Sequence, residues 1–403
     1  MRSASAAPGA VALAAVGTAV IVTSEFIVVG LLPGMARDLG ASLERAGNFV
    51  SGFALASALA GPPLTMLLVR FDARRVLATV LLVYAVTNTV IAAAPGYGAV
   101  LGARLAQGAL LPAFVSIGVA AVAGRAGARG GRAVANVNIG VIAASVFAVP
   151  AGVLIADVAG WPASFVLLAG LAGAAALMVR VGFPACACAS PPAFAPQLAL
   201  LREPRLIAHL ALTALLFVAM FAAYTYFAAL LEGVAGFDER ETALALFGFG
   251  VAGLAGNWLA GRGAEGEATR ATAAAALALG GAQLAASTAN GCGPFLALAL
   301  AVWGAAHAAL FVLCHLRAMR AAPQAPAFAG ALNISVCNIG VAAGAAAGGA
   351  AVATSGVSTA GMAGAAVAFA AFVFALFVER SGNTAGNVVS AADRGERSQS
   401  RGL

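Results

Sequence analysis

The sequence predicts an all-α integral membrane protein whose twelve transmembrane helices form two six-helix bundles related by a pseudo-two-fold axis. Three observations carry this. The 403 residues are 62% hydrophobic and only 9% charged, whereas a soluble domain carries about 25% charged residues. Apolar runs long enough to cross a bilayer recur twelve times along the chain. Short patterns in the first six runs return in the second six. The mean hydropathy is +0.98, and Gly and Ala dominate, which suits close packing of spanning helices through small residues. An aqueous enzyme, a nucleic-acid binder and a disordered tail are excluded as the main identity, and the net charge of +7 is read as membrane topology.

Each span needs about 20 mostly apolar residues. The first, 10–32, follows Arg2 and superficially resembles a secretory signal, but it can cross the bilayer and many more spans follow, so it is read as a retained helix. Spans 47–69 and 76–94 flank the turn RFDARR (70–75), and spans 98–122 and 134–157 flank GRAGARGGR (124–132). The sixth, 162–182, ends at the Pro-rich stretch FPACACASPPAFAPQLALLREP (183–204), which divides the chain nearly in half. Spans 205–231 and 241–260 enclose the acidic loop EGVAGFDERE (232–241). Spans 271–289, 295–317, 329–354 and 357–378 complete the count. The organisation expected is an N-terminal bundle over 1–182, a cytoplasmic loop over 183–204, a C-terminal bundle over 205–380 and a cytoplasmic tail over 381–403.

Arginines set the orientation. Alternate loops beginning with 70–75 hold most of them, while the opposite set holds Arg37, Arg45 and Arg240. Basic residues accumulate on the cytoplasmic side, so both termini are placed there, in agreement with an even span count. The five cysteines are scattered, and the close pair Cys186 and Cys188 has no neighbouring His to complete a metal site.

Two patterns repeat. Asn138-Ile139-Gly140-Val141 returns as Asn338-Ile339-Gly340-Val341, and Leu43-Glu44-Arg45 leads into Gly52-Phe53 as Asp238-Glu239-Arg240 leads into Gly248-Phe249. Parallel six-span halves are a transporter architecture with the substrate site between them near the midplane.

Here the chain resembles the major facilitator superfamily, and within it the twelve-span drug:proton antiporter group that includes sugar-efflux and arabinose-efflux-like permeases. The resemblance covers roughly residues 10–378. TSEFIVVGLLP (Thr23–Pro33) resembles the first-span motif of that group, Arg104-Leu105-Ala106-Gln107-Gly108 the fourth-span R-x-x-Q-G, and the stretch around Pro150 and Gly152 the fifth-span antiporter motif, with Val149 for its first Gly. The loop after the second span matches the group's gating signature only in Arg74 and Arg75. Arg70 stands where the family has Asp, Ala73 where it has Gly, and Asp72 is shifted. The resemblance implies rocking of two halves around a central site, driven by a proton gradient without a cofactor, in a bacterial inner membrane. The functional unit it implies is a monomer whose partners are protons, lipid and a small-molecule substrate.

Few charges remain at membrane depth. Glu25 is the one acidic residue clearly inside a span. Eight residues separate it from Pro33, about 12 Å at 1.5 Å per residue. Arg104 lies seven residues after Tyr97, about 10 Å, so the two are expected at one depth as a proton-coupling pair. Intramembrane charges mark substrate or ion paths. The alternatives are a Glu25 that only hydrogen-bonds to hydroxyls such as Thr18 or Ser24, and an Arg104 that clamps backbone carbonyls or Glu25. Gln107 shares the face of Arg104. Trp303, His307 and Phe311 form a stripe on the tenth span, to contact substrate or pack helices. Tyr224 suits ligand binding or an aromatic belt, and Asn138 and Asn338 suit helix bridging or substrate contact. His209 and His315 are expected at the membrane interface. The glycine-rich run Gly340–Gly349 lies in an apolar span without a G-K-[ST] sequence, so it supports no ATP site.

These features predict a proton-coupled antiporter exporting small drug-like or sugar-like molecules. The alternatives are an uptake symporter or uniporter of the same fold for a sugar or nucleoside, and, further off, a non-transporting sensor or intramembrane enzyme.

Overall fold

The computed structural model describes residues 8–93, 96–126, 130–185, 199–263, 268–289 and 293–399, and the side chains of these apart from 8, 124–143, 145, 199, 201, 263, 327 and 380–399. Among them are twelve long helices: α1 (Pro8–Asp38), α2 (Leu43–Leu68), α3 (Ala73–Ala93), α4 (Tyr97–Ala126), α5 (Gly130–Ala159), α6 (Trp161–Gly182), α7 (Pro204–Tyr224), α8 (Glu239–Gly263), α9 (Ala268–Thr288), α10 (Pro294–Ala321), α11 (Pro326–Ser355) and α12 (Ser358–Gln399). Ten are long and apolar enough, over the described residues, to cross a membrane. In α5 the stretch whose side chains are described throughout is Val146–Ala159, and it is apolar; α9 is diluted by Thr, Ser, Gly and Gln283.

Local chemistry sets the boundaries. Ser42 caps α2 by accepting from Arg45 N at 3.2 Å, and Asp72 caps α3 by accepting from Arg75 N at 3.1 Å. Asp238 and Glu241 form a reciprocal capping box on α8, at 2.8 and 3.1 Å. Proline opens α6, α7, α10 and α11, where its missing N–H costs nothing.

The seventh span is broken where one helix over 205–231 was expected. After Tyr224, the Thr225 hydroxyl bonds back to Phe221 O at 2.7 Å and Tyr226 N turns to Ala223 O at 3.1 Å. Such back-bonding bends helices. A single α turn (Phe227–Leu230) and a π turn (Leu231–Ala235) follow. The break swings the Tyr226 hydroxyl onto Ala345 O in α11, at 2.9 Å.

Within residues 8–182, α1 packs on α5, α2 on α4 and α3 on α6; in the second half α7 packs on α11, α8 on α10 and α9 on α12. The two sets match by a shift of six helices, and the halves meet through α2 on α11 and α5 on α8, contacts that a two-fold axis exchanges. Close approaches make the register exact to a residue. A Cβ on Gly108 would lie 2.1 Å from Phe53 O, and one on Gly304 would lie 2.3 Å from Phe249 O. Both pairs, with Ser42 and Asp238 as caps, are separated by 196 residues. The Asn138 and Asn338 match therefore stands one helical turn out of register, and the caps align Ser42 with Asp238 rather than Leu43.

Candidate transport site

The 196-residue register places Leu300 and Trp303 opposite Arg104 and Gln107. One half is polar at this crossing and the other aromatic.

On the polar side, Arg104 projects from α4 between α1 and α2 and is fully buried. Its Nε donates to Phe49 O at 3.1 Å, its Nη1 to Ser24 O at 2.7 Å and to Gln107 Oε1 at 3.0 Å, and its Nη2 to Glu25 O at 3.1 Å. Its guanidinium carbon lies 4.4 Å from the centre of the Phe53 ring. Four of the five guanidinium donors are thus satisfied, three of them on main-chain carbonyls. Arg104 and Glu25 share a depth, as expected. They are not joined through their side chains, because consecutive carbonyls offer the rigid fork second lone pairs at fixed spacing. Gln107 extends the network by donating from Nε2 to Thr87 Oγ1 at 3.0 Å and to Asn88 Oδ1 at 2.8 Å. Asn88 Nδ2 donates to Ser24 Oγ at 3.1 Å, and the Tyr84 hydroxyl to Gln107 O at 2.8 Å.

Glu25 is half-buried, and its carboxylate has no hydrogen bond or ion pair with any described residue. Thr18 bonds to Ala14 O at 2.8 Å and Ser24 is held by Asn88, so neither hydroxyl satisfies it. Arg104, Tyr84 and Tyr224 lie within electrostatic range of the carboxylate.

On the aromatic side a cavity of about 440 Å³ extends from Phe26 and Tyr224 toward His315 and Leu316 near the end of α10, and Phe249, Asn257, His307 and Phe311 also line it. The His307 ring lies 4.8 Å from Tyr224 and 5.6 Å from each of Phe221, Phe249 and Phe311, between centroids. Its Nδ1 is buried without a partner.

Tyr224, His307 and Phe311 thus line the cavity, and Trp303, Gln107 and Asn338 do not. Trp303 is fully buried because Phe227 and Phe249 close over it, at 4.8 and 5.8 Å, so it belongs to the core. Gln107 is consumed by the α3–α4 network. Asn338 bonds to Ile334 O of its own helix at 3.0 Å, and neither bridges helices nor lines this cavity. The side chain of Asn138 and the pair Cys186 and Cys188 lie outside the described residues.

Of the signature after the second span, Arg70 is exposed, Asp72 caps α3, and Arg74 lies 3.9 Å from Asp72, beside Arg75 in the first turn of α3. Pro150 is buried in α5, and Gly152 admits Ile27 of α1 where a Cβ would lie 2.4 Å from its Cγ1.

Other buried polar residues escaped the sequence reading. Thr87-Asn88-Thr89 interrupts an apolar run, which is a usable signal. Arg317 stands at the expected end of the tenth span, but no Gly or Pro interrupts 305–322 and α10 runs on through it. Arg317 is 2% exposed, with Nη1 3.2 Å from His209 Nδ1 and Nη2 donating to Cys314 Sγ at 3.5 Å. His209 is accordingly buried against α10 near the start of α7. Among the described residues no group of His, Cys, Asp or Glu could hold a metal ion.

The halves touch at the end of the bundle where α1 leads into α2. Arg37 pairs with Glu232 at 3.8 Å and Arg240 with Asp157 at 3.4 Å. Gly47 admits the Tyr226 hydroxyl where a Cβ would lie 1.9 Å from it. The cavity lies away from that end.

Residues 14–337 match the family model described as Major Facilitator Superfamily. The chain is 30% identical over 334 residues to the inner membrane transport protein YdhP of Escherichia coli K12, covering 81% of this chain and 84% of that one. It is 29% identical over 342 residues to a chloramphenicol efflux pump of Mycobacterium tuberculosis H37Rv, covering 80% of each. A chloramphenicol resistance protein of Streptomyces lividans is 31% identical over 255 residues, 62% of this chain and 65% of that one. The fold is that of the nucleoside transporter NupG, with a TM-score of 0.74 at 14% identity over 92% of this chain and 99% of the other. A bacterial homologue of the lysosomal transporter Spinster, inward-facing and occupied, gives 0.73 at 16% identity over 92% and 96%. With its six-helix pairing repeated and its halves meeting across a two-fold, the chain belongs to the major facilitator superfamily and is a multi-pass membrane transporter, not an enzyme.

Proposed function

We propose that this transporter is a proton-driven antiporter that exports small organic molecules through the inner membrane, as a monomer with both termini cytoplasmic. The observation that carries the reading is the Glu25 carboxylate, half-buried at mid-membrane and free of partners among the described residues. A neighbouring guanidinium is held in place by main-chain carbonyls. Burial favours the neutral acid and the guanidinium favours the carboxylate. A group balanced between those effects can take a proton from one side and release it on the other as access to it changes. Because Arg104 is clamped independently of the Glu25 side chain, the carboxylate is free to cycle without dismantling the helix junction. In this orientation the contacts between halves lie on the outer face and the cavity extends toward the cytoplasm, where a substrate for export enters. The chloramphenicol exporters among the relatives support export, and chloramphenicol is the first compound to test.

The test is drug accumulation in everted vesicles with and without a protonophore. Uptake of chloramphenicol that collapses with the protonophore, and falls more than about tenfold in Glu25→Gln at equal expression, is expected. Undiminished proton movement on addition of chloramphenicol to Glu25→Gln would sink proton coupling through this residue.

A further inference from the structure

The asymmetry of the two halves identifies the kind of molecule the cavity holds. We infer that the cavity binds an uncharged aromatic compound against the wall built by α8 and α10, with the His307 imidazole as its hydrogen-bonding handle. This inference rests on the cavity being the transport site.

Its described wall carries no carboxylate and no arginine, and its polar groups are Asn257, His307, His315 and the Tyr224 hydroxyl. A charged ligand entering such a space loses its hydration without a counter-ion on the wall it touches, and Glu25 acts only at a distance, through the Tyr224 end. Aromatic walls can attract cations through ring faces, but here the faces are largely taken. Tyr224 stacks on Phe249 at 5.5 Å and 23°, and His307 packs against four rings. What the rings leave open suits the edge or face of another ring. His307 lines the cavity at 6% exposure while its Nδ1 is enclosed without a partner, so the ring carries unmet hydrogen-bonding capacity that a rotation about χ2 presents to the otherwise apolar space. A cavity of about 440 Å³ lies in the range usual for small-molecule sites, about 300–1,000 Å³. Charge handling stays in the other half, at Glu25 and Arg104.

The experiment is equilibrium binding to the purified full-length transporter in detergent, without any gradient. Matched panels of uncharged and permanently cationic aromatic compounds are used, chloramphenicol and ethidium among them. The tightest binder is expected to be uncharged. Its affinity should fall about tenfold in His307→Leu, the effect of one lost hydrogen bond in a desolvated site, and stay within about threefold in His307→Gln. Asn257→Asp, nearly isosteric, should raise the affinity for ethidium relative to chloramphenicol. A cationic compound binding tightest, no binding by any uncharged compound, or an unchanged affinity in His307→Leu each overturns the inference. Binding that follows these expectations without export in vesicles would instead overturn the antiport reading and leave this one standing.

Discussion

Arg104 separates two roles that a charge pair would combine. A buried cation is retained only where its donors are met, and here three backbone carbonyls from α1 and α2 meet them. The guanidinium therefore works as a three-helix clamp whose charge is felt by a carboxylate it does not bind. Lys at this position keeps the charge but has no planar fork and cannot reach carbonyls on two helices at once. Arg104→Lys should lower the unfolding free energy by about 3–5 kcal/mol, the usual cost of breaking a buried charged network, read as a fall in unfolding temperature in detergent. Glu25→Gln, which loses no hydrogen bond seen among the described residues, should leave that temperature nearly unchanged. Equal losses in the two variants would mean that Glu25 is part of the clamp. That contrast could not be read from the sequence. Glu25 and Arg104 stand out as charges in apolar runs, and their common depth follows from helical rise. A backbone acceptor leaves no mark on residue type, so the choice of carbonyls over carboxylate stays hidden.

At the scale of helices, the twelve long helices and their duplication were legible because hydropathy and Gly-rich patterns are local. The register of the duplication was less so. The Asn-Ile-Gly-Val match misplaces it by a turn, and the two glycines that set it, Gly108 and Gly304, matter only through the carbonyl each faces across a crossing. The stripe of Trp303, His307 and Phe311 left substrate contact and helix packing open for a similar reason: Trp303 becomes core through Phe249 of α8 and through Phe227, which the break after Tyr224 brings over it. The same break creates a mechanical stop. Tyr226 is wedged against Gly47 of α2 and Gly348 and Gly349 of α11, and its hydroxyl is fixed to Ala345 O. A methyl on Gly47 would overlap that hydroxyl, which has nowhere to move. Gly47→Ala should hold α2 and α11 apart and cut transport more than about tenfold while the protein still folds. Spin labels on the α1–α2 and α11–α12 turns should report a longer distance, and Tyr226→Leu in the same chain should restore it. An unchanged distance in Gly47→Ala would show that the wedge does not control closure.

For the whole molecule the question is what balances the two arrangements of its halves. The ion pairs across the α1–α2 end are natural suspects, but they are exposed, with Arg37 and Arg240 at 66% and 77% side-chain exposure. Such pairs are typically worth only about 0–1 kcal/mol. Glu232 shows which effect prevails. Burial holds its carboxyl above the ordinary value of 4.5, Arg37 offsets this only in part, and Glu239 adds to it. The charged form is therefore a net burden in the closed arrangement, the ion pair notwithstanding. Opening that end exposes Glu232 to water and returns it toward its ordinary value. The closed form then binds the proton more tightly, and by linkage acidification favours closure. As pH falls through the range just above 4.5, the distance between the two turn labels should shift toward the closed population. Glu232→Gln should be closed-biased and should lose this pH dependence, while Arg37→Gln, which removes the partial offset, should move the transition to higher pH. A closed population that instead falls on acidification in the unmodified chain would mean that the Arg37–Glu232 pair outweighs desolvation and acts as the lock of this face.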